Sequence, residues 1–123
     1  MKITFTHEEA QQHFLSAMCN GLGYISDYGL QLSYKEAEYK SAKKKLESPC
    51  WEDVLLQILI DGNSLALFDS ECNEMFSITI DDVYNRLPEV DIRHLMDMVN
   101  GNDDAVTADV ILQTIFLEEV IYG

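Results

Sequence analysis

Many of the residues that could do chemistry lie in one stretch near the end of the chain, VNGNDDAVTADVILQ, residues 99–113. Calcium prefers oxygen ligands, so a calcium loop that starts at Asn100 is the first hypothesis. Such a loop needs glycine at its sixth position and a bidentate glutamate at its twelfth. The chain has Ala105 and Ile111 there. The sequence therefore predicts no metal site here, and no other cofactor.

Helix capping explains the same stretch without a metal. Thr107 is a good N-cap residue, and Asp109 would lie in the first helical turn, where the helix dipole favours negative charge. Asp103 and Asp104 then remain as exposed acids of the preceding loop. We interpret the stretch as a helix start.

Nucleophilic catalysis would need a cysteine or serine beside a histidine and an acid. His94 has Asp91 three residues before it and Asp97 three residues after it, and Cys72 lies in a predicted hairpin turn. Nothing in this spacing requires them to meet. The spacings of zinc ligands and of glycine-rich phosphate loops are also absent from the sequence. A small hydrolase that uses Cys72 with His94, or a pair of carboxylates, is the weakest of three hypotheses.

Charge is distributed very unevenly along the chain. The 123 residues contain 22 acids and 8 bases, a formal net charge of −14. Residues 51–123 hold 16 of these acids and only two bases, Arg86 and Arg93. Such a surface repels phosphates, so direct binding to nucleic acid or to an anionic membrane is disfavoured.

The acidic surface could instead recognise a basic protein. Duplex DNA carries one charge per ~1.7 Å of axis, so an excess of fourteen charges matches ~24 Å of duplex. The chain could therefore imitate DNA and compete for a nucleic-acid-binding groove. The predicted partner-binding residues are Asp81, Asp82, Asp97, Asp103, Asp104, Asp109, Glu118 and Glu119.

The sequence patterns of helices and strands predict that one α+β domain, residues 1–123, positions these residues. SLALFD and MFSITI alternate at period two and predict an antiparallel β-hairpin, with four to six short helices packed around it. Apolar and polar residues alternate in KITFT, which predicts an N-terminal edge strand. Leu30, Leu32 and Tyr34 alternate in the same way and predict an extended segment.

Capping and stop signals place the helices. Thr6 caps a first helix that Asn20-Gly21 ends, and Ser33 with Glu36 forms a capping box for a second helix that ends near Glu47. The pattern from Trp51 to Ile60 predicts a central helix. In the next-to-last helix, capped by Asp91, the predicted inward side chains are Ile92, Leu95, Met96 and Val99.

The last helix has an apolar stripe, from Val110 to Ile121, that is too broad for a helix half exposed to water. It must be central or covered by a partner. Together with Tyr24, Tyr28 and Tyr34, this stripe supports a second hypothesis, a structural subunit that forms a homo-oligomer.

The cysteines and the hydropathy of the chain predict its cellular compartment. No apolar run approaches the roughly 18 residues of a membrane span, and the N-terminus does not resemble a secretory signal. Three cysteines without paired spacing favour a reducing compartment, so we expect a cytoplasmic protein that does not bind membranes.

The short chain, with CWEDVLLQILIDG before its hairpin and GNDDAVTAD near its end, resembles small acidic accessory proteins of bacteriophages and integrative elements. These include inhibitors of host defence. The resemblance implies a protein that acts by occlusion and has no catalytic residues. The first hypothesis is therefore a non-enzymatic, acidic inhibitor that binds a basic host protein.

Overall fold

The computed structural model describes residues 3–102 and 104–123, which form helices and a three-stranded antiparallel sheet. This confirms the predicted α+β class. The helices are α1 (His7–Asp27), α2 (Glu36–Lys44), α3 (Trp51–Ile60), α4 (Ile80–Arg86), α5 (Ile92–Val99) and α6 (Ala105–Leu117), with a 3-10 turn at Leu87–Glu89. The strands are β1 (Leu30–Ser33), β2 (Leu65–Asp69) and β3 (Glu74–Ile78).

The sheet has the order β1-β2-β3, and β2 pairs with Leu30–Ser33 on one side and Glu74–Ile78 on the other. The predicted hairpin is therefore confirmed. The predicted N-terminal strand KITFT is not formed at residues 3–6, where Thr6 makes a capping box with Glu9 at the start of α1, and Lys2 lies outside the described residues. The edges of the sheet are formed by β1 and β3, and β1 follows α1 after a turn where Gly29 has a φ of 84°.

Helix α1 does not end at Asn20-Gly21 as predicted but continues to Asp27. Gly21 is buried against α6, where an added Cβ would lie 3.0 Å from the Cβ of Ala108 and 3.0 Å from a methyl group of Leu112. The glycine therefore permits close approach of two helices. Its local preference to end a helix is overridden by this packing.

Helix α6, and not α3 as predicted, is the most extensively buried helix, which explains its broad apolar stripe. Residues 111–117 are all buried, and α6 packs along α1 and against β3. The helix ends at Leu117 because Glu118 adopts a left-handed conformation, φ 69°. Val120 and Ile121 therefore lie outside the helix and are exposed.

Two predicted helix caps are wrong. Asp104, not Thr107, is the N-cap of α6, and its carboxylate accepts a hydrogen bond of 2.9 Å from the Thr107 backbone N–H. Lys35 stands at the N-cap of α2 without a side-chain bond, so Ser33 does not form the predicted capping box. Both errors concern neighbouring polar residues that compete for one helix start.

Candidate functional site

The eight predicted partner-binding acids do not share one environment. Asp81, Asp97, Asp104, Glu118 and Glu119 are exposed, Asp82 is half-buried, and Asp103 lies outside the described residues. Asp109 is buried, which contradicts its predicted place on the acidic surface. It accepts hydrogen bonds from the Tyr28 hydroxyl and from Gln113. An acid can be buried at this position because these donors replace its water.

Arg86 brings two of the predicted acids together. Its guanidinium lies 3.3 Å from a carboxylate oxygen of Asp82 and 2.8 Å from one of Glu118, and it donates a 2.7 Å hydrogen bond to the Ile115 carbonyl. Arg86 therefore links the start of α4 to the end of α6. Part of the negative charge of Asp82 and Glu118 is neutralised within the fold.

Most of the acidic excess is not neutralised by the lysines. Among the described residues, one ion pair joins a lysine to an acid of residues 51–123, between Lys45 Nζ and Asp61 Oδ1 at 2.8 Å. Arg93 pairs with its neighbour Asp91. The acids of the C-terminal part thus keep a large net negative charge, because only Arg86 and Arg93 offset them within that part.

Helix α5 presents apolar side chains to solvent, contrary to the prediction. Ile92, Met96 and Val99 are 50%, 44% and 49% exposed, whereas Leu95 and Met98 are buried. The exposed residues have the spacing i, i+4, i+7 of one helical face. We call these three residues the α5 stripe.

Acids and a further apolar residue lie close to the α5 stripe in the chain. Asp97 is exposed on the same helix, and Asp104 and Val106 follow it after a short loop. Val106 is 56% exposed. A hydrogen bond of 3.0 Å between His94 Nδ1 and Thr107 Oγ1 fixes α5 to α6. The stripe is therefore an exposed apolar surface on a helix that is fixed to α6 and lies in an acidic part of the chain.

The groups of the hydrolase hypothesis have separate partners. His94 is bonded to Thr107, whereas Cys72 lies in the β2–β3 turn beside Asp69. Desolvation and the Asp69 carboxylate raise the pKa of the Cys72 thiol, which lowers the population of the reactive thiolate. Within residues 3–102 and 104–123, no group of three or more His, Cys, Asp or Glu side chains is placed to hold a metal ion.

A polar cluster that sequence reasoning missed fastens residues 118–123 to the core. The side-chain carbonyl of Gln113 accepts 2.9 Å hydrogen bonds from the backbone N–H groups of Ile121 and Tyr122, and its amide donates to Asp109 and to the Tyr122 carbonyl. Gln113 is fully buried. Its side chain thus acts as a backbone-like partner for the C-terminal segment.

The same cluster pairs two buried carboxylates with two tyrosines. The Tyr122 hydroxyl donates to Asp69 and that of Tyr28 to Asp109, while the two rings stack with centroids 5.4 Å apart. The bond from Tyr122 lowers the pKa of Asp69, and the bonds to the aspartates raise the pKa of each tyrosine to about 12. The inward position of Asp69 follows from the alternation of LALFD, in which Leu65 and Leu67 are also buried.

In the described part of the chain, no helix combines the length and the hydropathy needed to cross a membrane. No family model, curated protein or solved structure matches the chain.

Proposed function

We propose that the protein is a non-enzymatic binding module that recognises a basic protein through the α5 stripe and the exposed acids of residues 51–123. The exposure of Ile92, Met96 and Val99 in the acidic part of the chain carries this proposal. An apolar centre with a charged surround is the usual composition of a protein interface. Its apolar area supplies affinity, and its charge supplies a fast, salt-sensitive association.

Charge favours a basic partner over a second copy of the chain. Two copies that met through their α5 stripes would each bring a net charge of −14, and the acids would face one another. The broad stripe of α6 gives no further support to self-association, because it is buried within the chain's own fold. Homo-oligomer formation through α5 remains the second candidate.

The mode of action that we propose is occlusion. A partner that normally binds nucleic acid would present a basic groove, and the acidic surface would occupy that groove in place of phosphates. An inhibitor of a host protein, encoded by a phage or another mobile element, would act in this way. The three cysteines of this chain are free and exposed. Free thiols are typical of proteins in the reducing cytoplasm.

The experiment begins with capture of a partner from a host extract, its identification and its purification. Calorimetry at ionic strengths of about 0.05 M and about 0.3 M should then show weaker binding at the higher salt, because screening shortens the reach of the charges. An affinity that does not change with salt would contradict the electrostatic part of the proposal.

Two sets of variants test the surface itself. Changing three exposed acids of residues 51–123, by Asp81→Asn, Asp97→Asn and Glu119→Gln, should weaken binding, and so should polar substitutions of the α5 stripe. The matched control, Glu8→Gln, Glu36→Gln and Glu47→Gln, makes the same change in net charge at exposed acids of residues 1–50. Equal losses in both charge sets would mean that overall charge, not this surface, determines binding.

A further inference from the structure

A groove of about 600 Å³ lies between α1, β1 and the start of α3. Its apolar lining consists of Met18, Leu22, Ile25, Leu30, Leu32 and Trp51. Trp51 is 41% exposed, and its indole N–H donates a 3.2 Å hydrogen bond to the Tyr34 hydroxyl. A large aromatic surface is therefore held in place while it remains open to solvent.

The groove runs along the free edge of β1. Leu30, Gln31 and Leu32 all line it, although successive side chains of a strand point to opposite faces of the sheet. Residues of both faces can line one groove when that groove follows the edge of the strand. Within residues 3–102 and 104–123, β1 pairs with β2 alone, so its other edge has backbone groups without a strand partner.

We propose that this groove binds an extended segment of a partner protein, which adds to β1 as a fourth strand. Backbone hydrogen bonds to the free edge would fix the segment, and its alternate apolar side chains would contact the lining and Trp51. The side chains between them would be lysine or arginine. This surface is separate from the α5 stripe.

Local charge selects the basic segment. Glu52 and Cys19 both line the groove. Desolvation, together with the charges of Glu52 and Asp53, raises the pKa of the Cys19 thiol, so both carboxylates act at this surface. The nearest lysine in the chain, Lys35, lines a different recess with Ser33 and Tyr34. A second copy added edge to edge would bring its own Glu52 and a net charge of −14.

Trp51 is the single tryptophan of the chain, so its fluorescence reports on the groove directly. The probe is a short, end-blocked peptide of alternating valine and lysine. We expect a saturable change in Trp51 emission below about 1 mM peptide, the range of a weak edge-strand complex. A peptide N-methylated on alternate residues and a valine–glutamate peptide should each bind at least about tenfold more weakly, because they lose strand pairing and charge complementarity respectively.

Gly23 offers a way to fill the groove without disturbing the core, because an added Cβ would meet no atom within 4 Å. Gly23→Phe should reduce affinity for the valine–lysine peptide at least about tenfold while the melting temperature is maintained. The matched control is Gln12→Phe, at an exposed position of α1 outside the groove lining. It should leave affinity unchanged.

Several results would overturn the proposal: no change in Trp51 emission with any peptide, equal binding of the N-methylated peptide, or equal binding by Gly23→Phe. Light scattering that shows a dimer abolished by Gly23→Phe would also overturn it, because the occupant would then be a second copy. Substitutions in the α5 stripe should not affect the peptide. The groove and the proposed function can thus fail separately.

Discussion

The Tyr28 hydroxyl donates a 2.8 Å hydrogen bond to Oδ2 of Asp109, which joins the end of α1 to the first half of α6. These residues are 81 positions apart in the chain. Asp109 is almost completely buried, so its charge depends on protein donors instead of water. The contact identifies Asp109 as part of the fold, not of a binding surface.

Removing this donor should destabilise the fold. Tyr28→Phe preserves the ring stack with Tyr122 but leaves Asp109 with one donor fewer, at an expected cost of about 1–3 kcal/mol in the free energy of unfolding. Urea denaturation measures the loss. Tyr24→Phe, on an exposed tyrosine four residues earlier, is the control and should have little effect. Equal stability of both variants would show that Asp109 does not need the hydroxyl.

Alkaline pH should unfold the protein through the same tyrosines. The pKa of Tyr28 and that of Tyr122 rise from the ordinary value of 10.0 to about 12 in the folded state. Their contribution to stability is complete below pH 10, because both states are then protonated. It is lost as pH rises towards 12, because the unfolded chain releases protons that the folded chain retains.

The measurement is the urea midpoint as a function of pH between about 8 and about 12. The control is the double variant Tyr28→Phe, Tyr122→Phe, which should show a shallower decline above pH 10. Cys19, whose pKa is also raised, contributes equally to both proteins, and Cys72, which shares Asp69 with Tyr122, is changed to serine in both. An identical decline in the two proteins would refute the assignment to these hydroxyls.

Gly21 and Gly23 should respond oppositely to alanine. Alanine favours helix by about 0.5–1 kcal/mol over glycine, so Gly23→Ala should stabilise α1, where the new Cβ meets open space. At Gly21 the new Cβ would lie 3.0 Å from Ala108 and Leu112 atoms, and overpacking should cost about 1–3 kcal/mol. Thermal or urea unfolding of the two variants compares them directly. A stabilising Gly21→Ala would mean that α1 and α6 separate easily.

Local sequence patterns correctly predicted the elements whose apolar residues allow only one arrangement. The alternation of SLALFD and MFSITI gave the hairpin, and the apolar spacing from Trp51 to Ile60 gave α3. Helix α5 was different, because five of its eight residues are apolar and cover much of its circumference. Periodicity alone could not choose its buried face. Packing against α6 selected Leu95 and Met98.

Contacts distant in sequence account for the other differences. Gly21 reads locally as a stop signal, and only its contact with Ala108 explains why the helix continues. The local sequence predicts Asp109 to be a surface acid in the first turn of a helix. Only the hydrogen bonds from Tyr28 and Gln113 explain its burial. A distant donor does not by itself bury an acid, since Glu118 pairs with Arg86 and remains exposed. A sequence therefore predicts charge more reliably than the position of that charge.

Arg86 should contribute more to stability than Arg93, although their removal changes net charge equally. Arg86 is 23% exposed and holds Asp82, Glu118 and the Ile115 carbonyl, whereas Arg93 is 85% exposed and pairs with its neighbour Asp91. Arg86→Gln leaves two carboxylates close together without their shared cation. Since hydrogen bonds to charged groups contribute about 1.5–3 kcal/mol, we expect a loss of that order in the free energy of unfolding.

The control, Arg93→Gln, should have little effect, because an exposed pair between near neighbours is screened by solvent. Urea denaturation at low and at moderate salt separates the two contributions of Arg86 to stability, which are its charge and its hydrogen bond to the Ile115 carbonyl. Repulsion between Asp82 and Glu118 weakens with added salt, so part of the loss in Arg86→Gln should be recovered. The missing bond to the Ile115 carbonyl is not screened, so the remainder should persist. Complete recovery in salt would assign the whole effect to charge and none to the link between α4 and α6.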